Sequence, residues 1–125
     1  MSPLAVLVVD DSRDAADALA MAFELLGCKV SLAYDGAAAL ELLDGLQPDL
    51  IVLDLSMPGL DGFTVAERIR QRPGLRDVLM VALSGFGRES DRRRSREVGF
   101  DQHLLKPVEF TVLQKLLDQA AARRP

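Results

Sequence analysis

Short apolar runs alternate with amphipathic segments along the whole chain. The first run, residues 4–9, is too short for a helix and too uniformly apolar for a half-exposed strand, so it predicts a strand buried on both faces. Most of these runs precede a segment with apolar residues at helical spacing. This alternation predicts an α/β fold, (βα)5, with a doubly wound parallel five-stranded sheet and right-handed crossovers. The other four predicted strands are 29–33, 50–53, 78–83 and 103–105.

Capping and breaking residues mark the ends of the predicted helices. Ser12 and Asp61 suit the N-cap positions of the first and third helices, and Asp35 opens the second. The Pro73-Gly74 pair is expected to end the third helix. The last helix begins near Glu109, and its predicted inward-facing residues are Phe110, Leu113, Leu116 and Leu117.

Residues 88–98 form the most polar of the predicted helices. Only Ser95, Val98 and the stem of Arg94 could face a core, so this helix gains little from burial and is expected to be marginal. Its arginines would suit nucleic acid, but acidic residues are interleaved with them and no aromatic platform accompanies them. We therefore favour a solvated face with ion pairs at i, i+4 spacing, here Glu89–Arg93 and Arg93–Glu97.

Composition and charge narrow the class of protein. The chain has 125 residues, which predicts a single domain over 1–125. Its net charge of −4 gives no reason to expect nucleic acid or an anionic membrane as a partner. With one cysteine, Cys28, and one histidine, a disulfide within the chain and a thiol-rich zinc site are both excluded. No apolar run is long enough to span a membrane and no signal peptide is evident, so we expect a cytoplasmic protein.

Functional residue types gather where the predicted strands end. Asp10 and Asp11 follow the first strand, Asp54 the third, Ser84 the fourth and Lys106 the fifth. The carboxyl ends of parallel strands meet at one edge of a sheet, and open α/β sheets bind their ligands there. Close carboxylates repel one another, and a hard divalent cation such as Mg²⁺ or Mn²⁺ relieves that repulsion. A metal beside a carboxylate and a lysine suits a phosphoryl group, which an aspartate attacks to form an acyl phosphate.

Each of these features also has an ordinary structural explanation. The acidic pair could cap the first helix, Ser84-Gly85 could form a turn, and Lys106 before Pro107 could simply end a strand. Asp54 is harder to explain in this way, because buried carboxylates are rare unless they are paired. All of these explanations would have to hold together at the edge where this fold binds ligands, which favours a functional site.

The residues at this edge resemble those of the receiver domains of bacterial response regulators. The similarity covers essentially the whole chain, in order and with similar spacing. The matching stretches are 8–12, 54–62, 83–85 and 106–107. The resemblance implies a flavodoxin-like strand order, 2-1-3-4-5, and a cis peptide bond before Pro107, which only an X-Pro bond adopts at modest cost.

The resemblance also implies a role for each residue of the site. Asp54 would be the phosphoacceptor, Lys106 would pair with the phosphoryl group, and Ser84 would turn toward that group after phosphorylation. The ligands of Mg²⁺ would be Asp11, Asp54, the backbone carbonyl of Ser56 and, mainly through water, Asp10.

The expected function is a signalling switch rather than an enzyme. The phosphoryl donor would be a phosphohistidine on a histidine kinase or phosphotransfer protein, or a small acyl phosphate. The switch would catalyse only its own phosphorylation and slow dephosphorylation. It would reach an unknown protein partner through the face formed by the fourth helix, the fifth strand and the fifth helix. The chain would be either a stand-alone receiver or a domain of a longer protein such as a hybrid sensor kinase.

Two other functions were weighed against this one. An aspartyl-phosphate phosphatase is disfavoured, because those enzymes place a second acid two residues after the nucleophile and here Ser56 stands at that position. A scaffold that works without phosphorylation is disfavoured by the full set of site residues.

Three features depart from, or extend, the family pattern. His103 stands where receivers often carry Tyr or Phe, so the coupling from Ser84 to the outer face is expected to be altered, although a merely solvated strand-end residue is somewhat favoured. Phe86 stands where a polar residue often occurs, and with Ser56 it would flank the path of the hydrolytic water and slow loss of the phosphoryl group. Residues 86–98 are expected to exchange hydrogen faster than the other helices and to become protected on phosphorylation.

Overall fold

The computed structural model of the protein describes residues 2–56, 61–85 and 89–124. Five strands form one sheet in the order β2-β1-β3-β4-β5, and every neighbouring pair is parallel. Both the strand order and the parallel pairing confirm the prediction. The strands are β1 (Ala5–Val9), β2 (Lys29–Ala33), β3 (Leu50–Asp54), β4 (Leu79–Ser84) and β5 (Gln102–Leu105).

Helices follow each strand and cover both faces of the sheet. They are α1 (Arg13–Leu25), α2 (Gly36–Leu42), α3 (Gly62–Arg70), α4 (Glu89–Val98) and α5 (Phe110–Ala122). Every residue of the central strands β3 and β4 is buried, as expected for strands with helices on both sides. Among the described residues, none of the helices combines the length and the apolar character that a membrane span requires.

Alternate strand residues feed two separate apolar layers. One layer joins Val8, Val52 and Val81 of the sheet to residues of α1 and α5, such as Phe23 and Leu116. The other layer lies between the sheet and α2, α3 and α4. This period-two alternation fixes which face each strand residue meets, so the strand ends are held in register at the carboxyl edge.

The predicted caps of three helices are present. The side chain of Asp35 accepts the Ala38 N–H at 2.7 Å, and that of Asp61 accepts the Thr64 N–H at 2.9 Å. Ser12 makes the equivalent contact in α1 at 3.5 Å, a long distance for a hydrogen bond. These residues satisfy amide donors that the first turn of a helix leaves without a partner.

Helix α4 is as polar and as poorly buried as its sequence indicates. Its buried residues are Ser95 and Val98, and the Arg94 guanidinium lies 4.3 Å from the centre of the Phe63 ring on α3. The predicted ion pairs Glu89–Arg93 and Arg93–Glu97 do not form within the described part of α4, so this prediction was wrong. Exposed pairs of this kind gain little in water and restrict two long side chains.

Candidate functional site

Three carboxylates meet at the carboxyl edge of the sheet. Val9 of β1 pairs with Leu53 of β3, so the residues that follow them, Asp10 and Asp54, end up side by side. Asp10 is 3% exposed and Asp54 is 2% exposed, whereas Asp11 is open to solvent. One oxygen of each carboxylate lies within 4.8 Å of the other two.

Lys106 brings a positive charge to the two buried carboxylates. Its ammonium nitrogen lies 3.2 Å from Oδ2 of Asp10 and 3.2 Å from Oδ2 of Asp54. The backbone holds the lysine there, because its N–H donates to the carbonyl of Ser84 at 2.9 Å and extends the β4–β5 pairing past the strand end. The bond between Lys106 and Pro107 is cis, as the sequence led us to expect.

Backbone amides fix the orientation of both buried carboxylates. Oδ1 of Asp10 accepts the Ser12 N–H at 3.0 Å, and Oδ1 of Asp54 accepts the Ser56 N–H at 3.1 Å. Each carboxylate therefore uses one oxygen locally and turns the other toward Lys106. Asp10 thus faces the lysine, and the cap of α1 is Ser12, so the explanation of the acidic pair as a helix cap is wrong for Asp10.

One lysine does not balance the charge of this cluster. Burial raises the pKa of Asp54 and the nearby Asp10 raises it further, while the Ser56 N–H and Lys106 oppose the shift. Burial works to lower the pKa of Lys106, but Asp54 and Asp10 together outweigh it and raise that pKa. The site therefore stabilises additional positive charge. All three candidate ligands are carboxylates, the donors that Mg²⁺ and Mn²⁺ prefer, so the residues present fit such an ion.

Gly62 lets α3 begin directly against the backbone of Asp54. A Cβ atom at this position would lie 2.8 Å from the Asp54 carbonyl oxygen and 2.9 Å from Cα of Leu55. Only glycine fits at this distance without a shift of the backbone. Gly62 falls within the 54–62 stretch and no role was predicted for it, although a glycine directly after a helix N-cap can signal such a close approach.

His103 is not a solvated strand-end residue, so that interpretation was wrong. Its Nε2 lies 2.7 Å from Oγ of Ser84, and its Nδ1 lies 3.0 Å from Oγ of Ser95. Ala82 of β4 stands opposite His103 in the sheet, so the ring shares a face with Ser84 two residues further along. Ser95 is a contact that sequence reasoning missed, and its signal was a serine on the inward face of a polar helix.

Phe110 is 46% exposed, and its prediction as an inward residue of α5 was wrong. It is the first residue of α5 and lies beside a cavity of about 380 Å³ between α1 and the start of α5. Asp10 and Lys106 also line this cavity, together with apolar residues such as Leu19. The ring therefore contributes to an apolar surface next to the carboxylates rather than to the core.

Of the other predicted site residues, the structure describes Ser84 and Ser56 but not Phe86. Ser84 is buried at the end of β4, and Ser56 is exposed two residues after Asp54. Phe86 lies outside the described residues, so the expectation about the path of the hydrolytic water stays a prediction.

Comparison with known protein families gives a match over nearly the whole chain. The family model described as "Response regulator receiver domain" matches residues 6–118. The chain is 36% identical over 119 residues to a 14.6 kDa protein from the sodA1 3′ region of Leptolyngbya boryana, covering 95% of this chain and 91% of that protein. It is 42% identical over 117 residues to the transcriptional regulatory protein PrrA of Mycobacterium leprae, covering 94% of this chain and 48% of PrrA. The chain therefore spans about half the length of that regulator.

Solved structures show the same fold. The receiver domain of the sensor histidine kinase PA1611 from Pseudomonas aeruginosa superposes with a TM-score of 0.88 at 27% identity, covering 96% of this chain and 98% of that domain. That structure has a magnesium ion coordinated in its active-site cleft. The chemotaxis response regulator CheY4 of Vibrio cholerae gives a TM-score of 0.87 at 25% identity, covering 94% of this chain and 98% of CheY4.

Proposed function

The chain belongs to the response regulator receiver domain family of two-component signalling, and on that premise we propose that Asp54 is its phosphoacceptor. The observation that carries the proposal is the position of Lys106, whose ammonium lies 3.2 Å from each of two buried carboxylates, Asp10 and Asp54. Such a site can bind a group with several negatively charged oxygens beside a carboxylate nucleophile.

The proposed reaction is transfer of one phosphoryl group from a phosphohistidine. An oxygen of Asp54 forms a bond to phosphorus as the P–N bond of the donor breaks. The electron pair of that bond leaves with the imidazole, which takes a proton from solvent. Lys106 pairs with the phosphoryl oxygens, and the Ser84 hydroxyl donates to one of them. With a small acyl phosphate as donor, the P–O bond breaks instead and a carboxylate leaves.

The metal site would use carboxylates already present at this edge. Asp10, Asp11 and Asp54 would hold Mg²⁺, or Mn²⁺ in its place, together with the backbone carbonyl of Ser56. When bound, the ion would neutralise the carboxylates and the oxygens of the incoming phosphoryl group. The magnesium ion in the PA1611 receiver domain supports this proposal.

The proposed partners are proteins. A histidine kinase or histidine phosphotransfer protein would supply the phosphoryl group, and the apolar surface around Phe110, beside Asp10 and Lys106, is close to the site that it would serve. The output would pass through the face formed by α4, β5 and α5. We treat 1–125 as one receiver unit, which the family match over 6–118 supports.

Intact-mass measurement tests the proposal directly. The protein is incubated with Mg²⁺ and acetyl phosphate, and separately with a phosphohistidine protein. Wild type should gain about 80 Da, the mass of one phosphoryl group on a carboxylate nucleophile, and hydroxylamine should remove it. Asp54→Asn should gain nothing, while the matched control Asp118→Asn, an exposed aspartate on α5, should behave as wild type.

The result also separates the alternatives. No gain from either donor, with Mg²⁺ binding confirmed, would favour the scaffold that works without phosphorylation. A gain that is retained in Asp54→Asn would assign the acceptor elsewhere. Rapid, repeated turnover of the donor by wild type would favour the phosphatase-like enzyme.

A further inference from the structure

His103 lies between two serines that belong to different elements. Its Nε2 is 2.7 Å from Oγ of Ser84 on β4, and its Nδ1 is 3.0 Å from Oγ of Ser95 on α4. Ser84 is 5% exposed and Ser95 is 1% exposed, so both hydroxyl groups are largely withdrawn from water. Three side chains thus join the edge of the site to helix α4.

Among the described residues, helix α4 makes few other contacts with the rest of the molecule. Of its ten residues, Ser95 and Val98 are the buried ones, and Arg94 covers the ring of Phe63. A helix with so little buried apolar surface depends strongly on each polar contact that it makes. The bond between Ser95 and His103 is therefore a substantial part of what holds α4 in place.

The chemistry of the imidazole makes its two contacts depend on each other. Burial lowers the pKa of His103, Arg92 lowers it further and Asp91 opposes the shift, so the ring is neutral at neutral pH. A neutral imidazole has one N–H donor and one acceptor nitrogen. One serine hydroxyl consequently donates to the ring while the other accepts from it. If both bonds are kept, a change of the Ser84 hydroxyl from donor to acceptor requires the Ser95 hydroxyl to change from acceptor to donor.

We propose that Ser95 is a positioning residue, which acts on Ser84 through His103 and links the phosphoryl site to helix α4. The inference rests on the proposed function, in which Ser84 donates its one hydroxyl proton to a phosphoryl oxygen. In the unphosphorylated protein the bridge holds Ser84, the ring and α4 together. In this proposal the Ser84 hydroxyl donates to Nε2 before phosphorylation, so that bond is lost or reversed once the hydroxyl donates to the phosphoryl group, and the contact of the ring with Ser95 changes with it.

Hydrogen exchange of α4 tests the attachment. In the unphosphorylated protein, Ser95→Ala should speed exchange of residues 89–98 by about fivefold, the effect of one lost hydrogen bond. The matched control is Ser90→Ala, which removes an exposed hydroxyl from the same helix and should leave exchange unchanged. A second variant, His103→Phe, keeps a ring in place and removes both bonds, so it should reproduce Ser95→Ala.

The nitrogen spectrum of His103 tests the link to the site, which a merely structural serine would not affect. The chain has one histidine, so protein labelled with ¹⁵N-histidine shows a single imidazole. Treatment with Mg²⁺ and acetyl phosphate, under conditions where intact mass shows the gain, should shift both ring nitrogens in wild type and in Ser90→Ala. In Ser95→Ala, which lacks the hydrogen-bond partner of Nδ1, the shifts of the ring nitrogens on phosphorylation should differ in size from those of wild type.

The outcomes distinguish this inference from the proposed function. A gain in mass with identical α4 exchange and identical ring shifts in wild type and Ser95→Ala would overturn the role of Ser95 and leave Asp54 as the acceptor. The absence of any mass gain in wild type would overturn the proposed function and with it the link to phosphorylation. In that case faster exchange in Ser95→Ala would show only that the bridge attaches α4.

Discussion

The ammonium of Lys106 lies 3.2 Å from Oδ2 of Asp54, yet this contact does not fully stabilise the ionised form of the carboxylate. The pKa of Asp54 is raised, because burial and the nearby Asp10 outweigh the combined effect of the Ser56 N–H and the lysine. One cation lies between two buried carboxylates, so the carboxylates still repel each other unless further positive charge binds at the site.

Asp54→Asn should therefore stabilise the metal-free protein. The change leaves Lys106 and Asp10 as a one-to-one pair, and we expect the free energy of unfolding at neutral pH to rise by roughly 1 kcal/mol, a usual scale for single-site effects. Urea unfolding in EDTA measures this. Added Mg²⁺ should stabilise wild type more than the variant, since a ligand stabilises the state that binds it. The difference between their free energies of unfolding should then become smaller. Lower stability of Asp54→Asn in EDTA would contradict the electrostatic argument.

The close approach of Gly62 to the Asp54 backbone leads to a second prediction. A methyl group in Gly62→Ala would meet the Asp54 carbonyl at 2.8 Å and push the acceptor strand or α3 aside. We expect a loss of about 1–3 kcal/mol in stability, as for other overpacked sites, and slower phosphorylation. Gly45→Ala is the matched control, because a Cβ there meets nothing within 4 Å. Equal stability of the two variants in urea unfolding would refute the steric role.

A third prediction concerns Arg70, which joins the end of α3 to the segments that precede β4 and β5. Its guanidinium donates to the carbonyls of Gly99, Leu75, Arg76 and Val78 and to the Asp101 carboxylate. Arg70→Lys keeps the charge but cannot reach this many acceptors, because an ammonium lacks the fork of a guanidinium. We expect a loss of about 2 kcal/mol in the free energy of unfolding, since part-buried carbonyls lose their donor. Arg68→Lys, on the exposed side of the same helix, should change stability little in the same urea titration.

The sequence predicted the strands and the residues at their ends well, because these follow from local patterns. Apolar runs set the strands, and parallel pairing then brought Asp10, Asp54 and Lys106 to one edge. Contacts between distant positions were not predictable in this way. Arg70 reaches residues 29 and 31 positions away, and its partners are mostly backbone carbonyls, which no sequence pattern reveals. Phe110 matched the apolar spacing of α5, but it is the first residue of the helix and faces the cavity rather than the sheet.

The last prediction uses the acid sensitivity of the contact between Asp49 and Arg124. Arg124 donates to both oxygens of Asp49 at 3.0 and 2.9 Å and also to the carbonyls of Ser2 and Pro3, so it links the end of α5 to the segment before β1. The hydrogen bond from Arg124 is the main cause that lowers the pKa of Asp49. Burial opposes this, and the Ala5 N–H adds to the lowering.

Because the folded-state pKa of Asp49 lies below the unfolded value of about 3.9, this contact stabilises the protein above that pH and is lost as pH falls through the folded pKa. Arg124→Gln should therefore lower the urea midpoint at pH of about 5 and above. The difference in midpoint between the variant and wild type should decrease as the pH falls below about 4. The matched control is Arg93→Gln, which removes an exposed arginine from α4 and should leave the midpoint and its pH dependence as in wild type. A gap between wild type and Arg124→Gln that stayed constant from about pH 3 to pH 6 would mean that Arg124 acts through the Ser2 and Pro3 carbonyls alone, because those acceptors do not titrate.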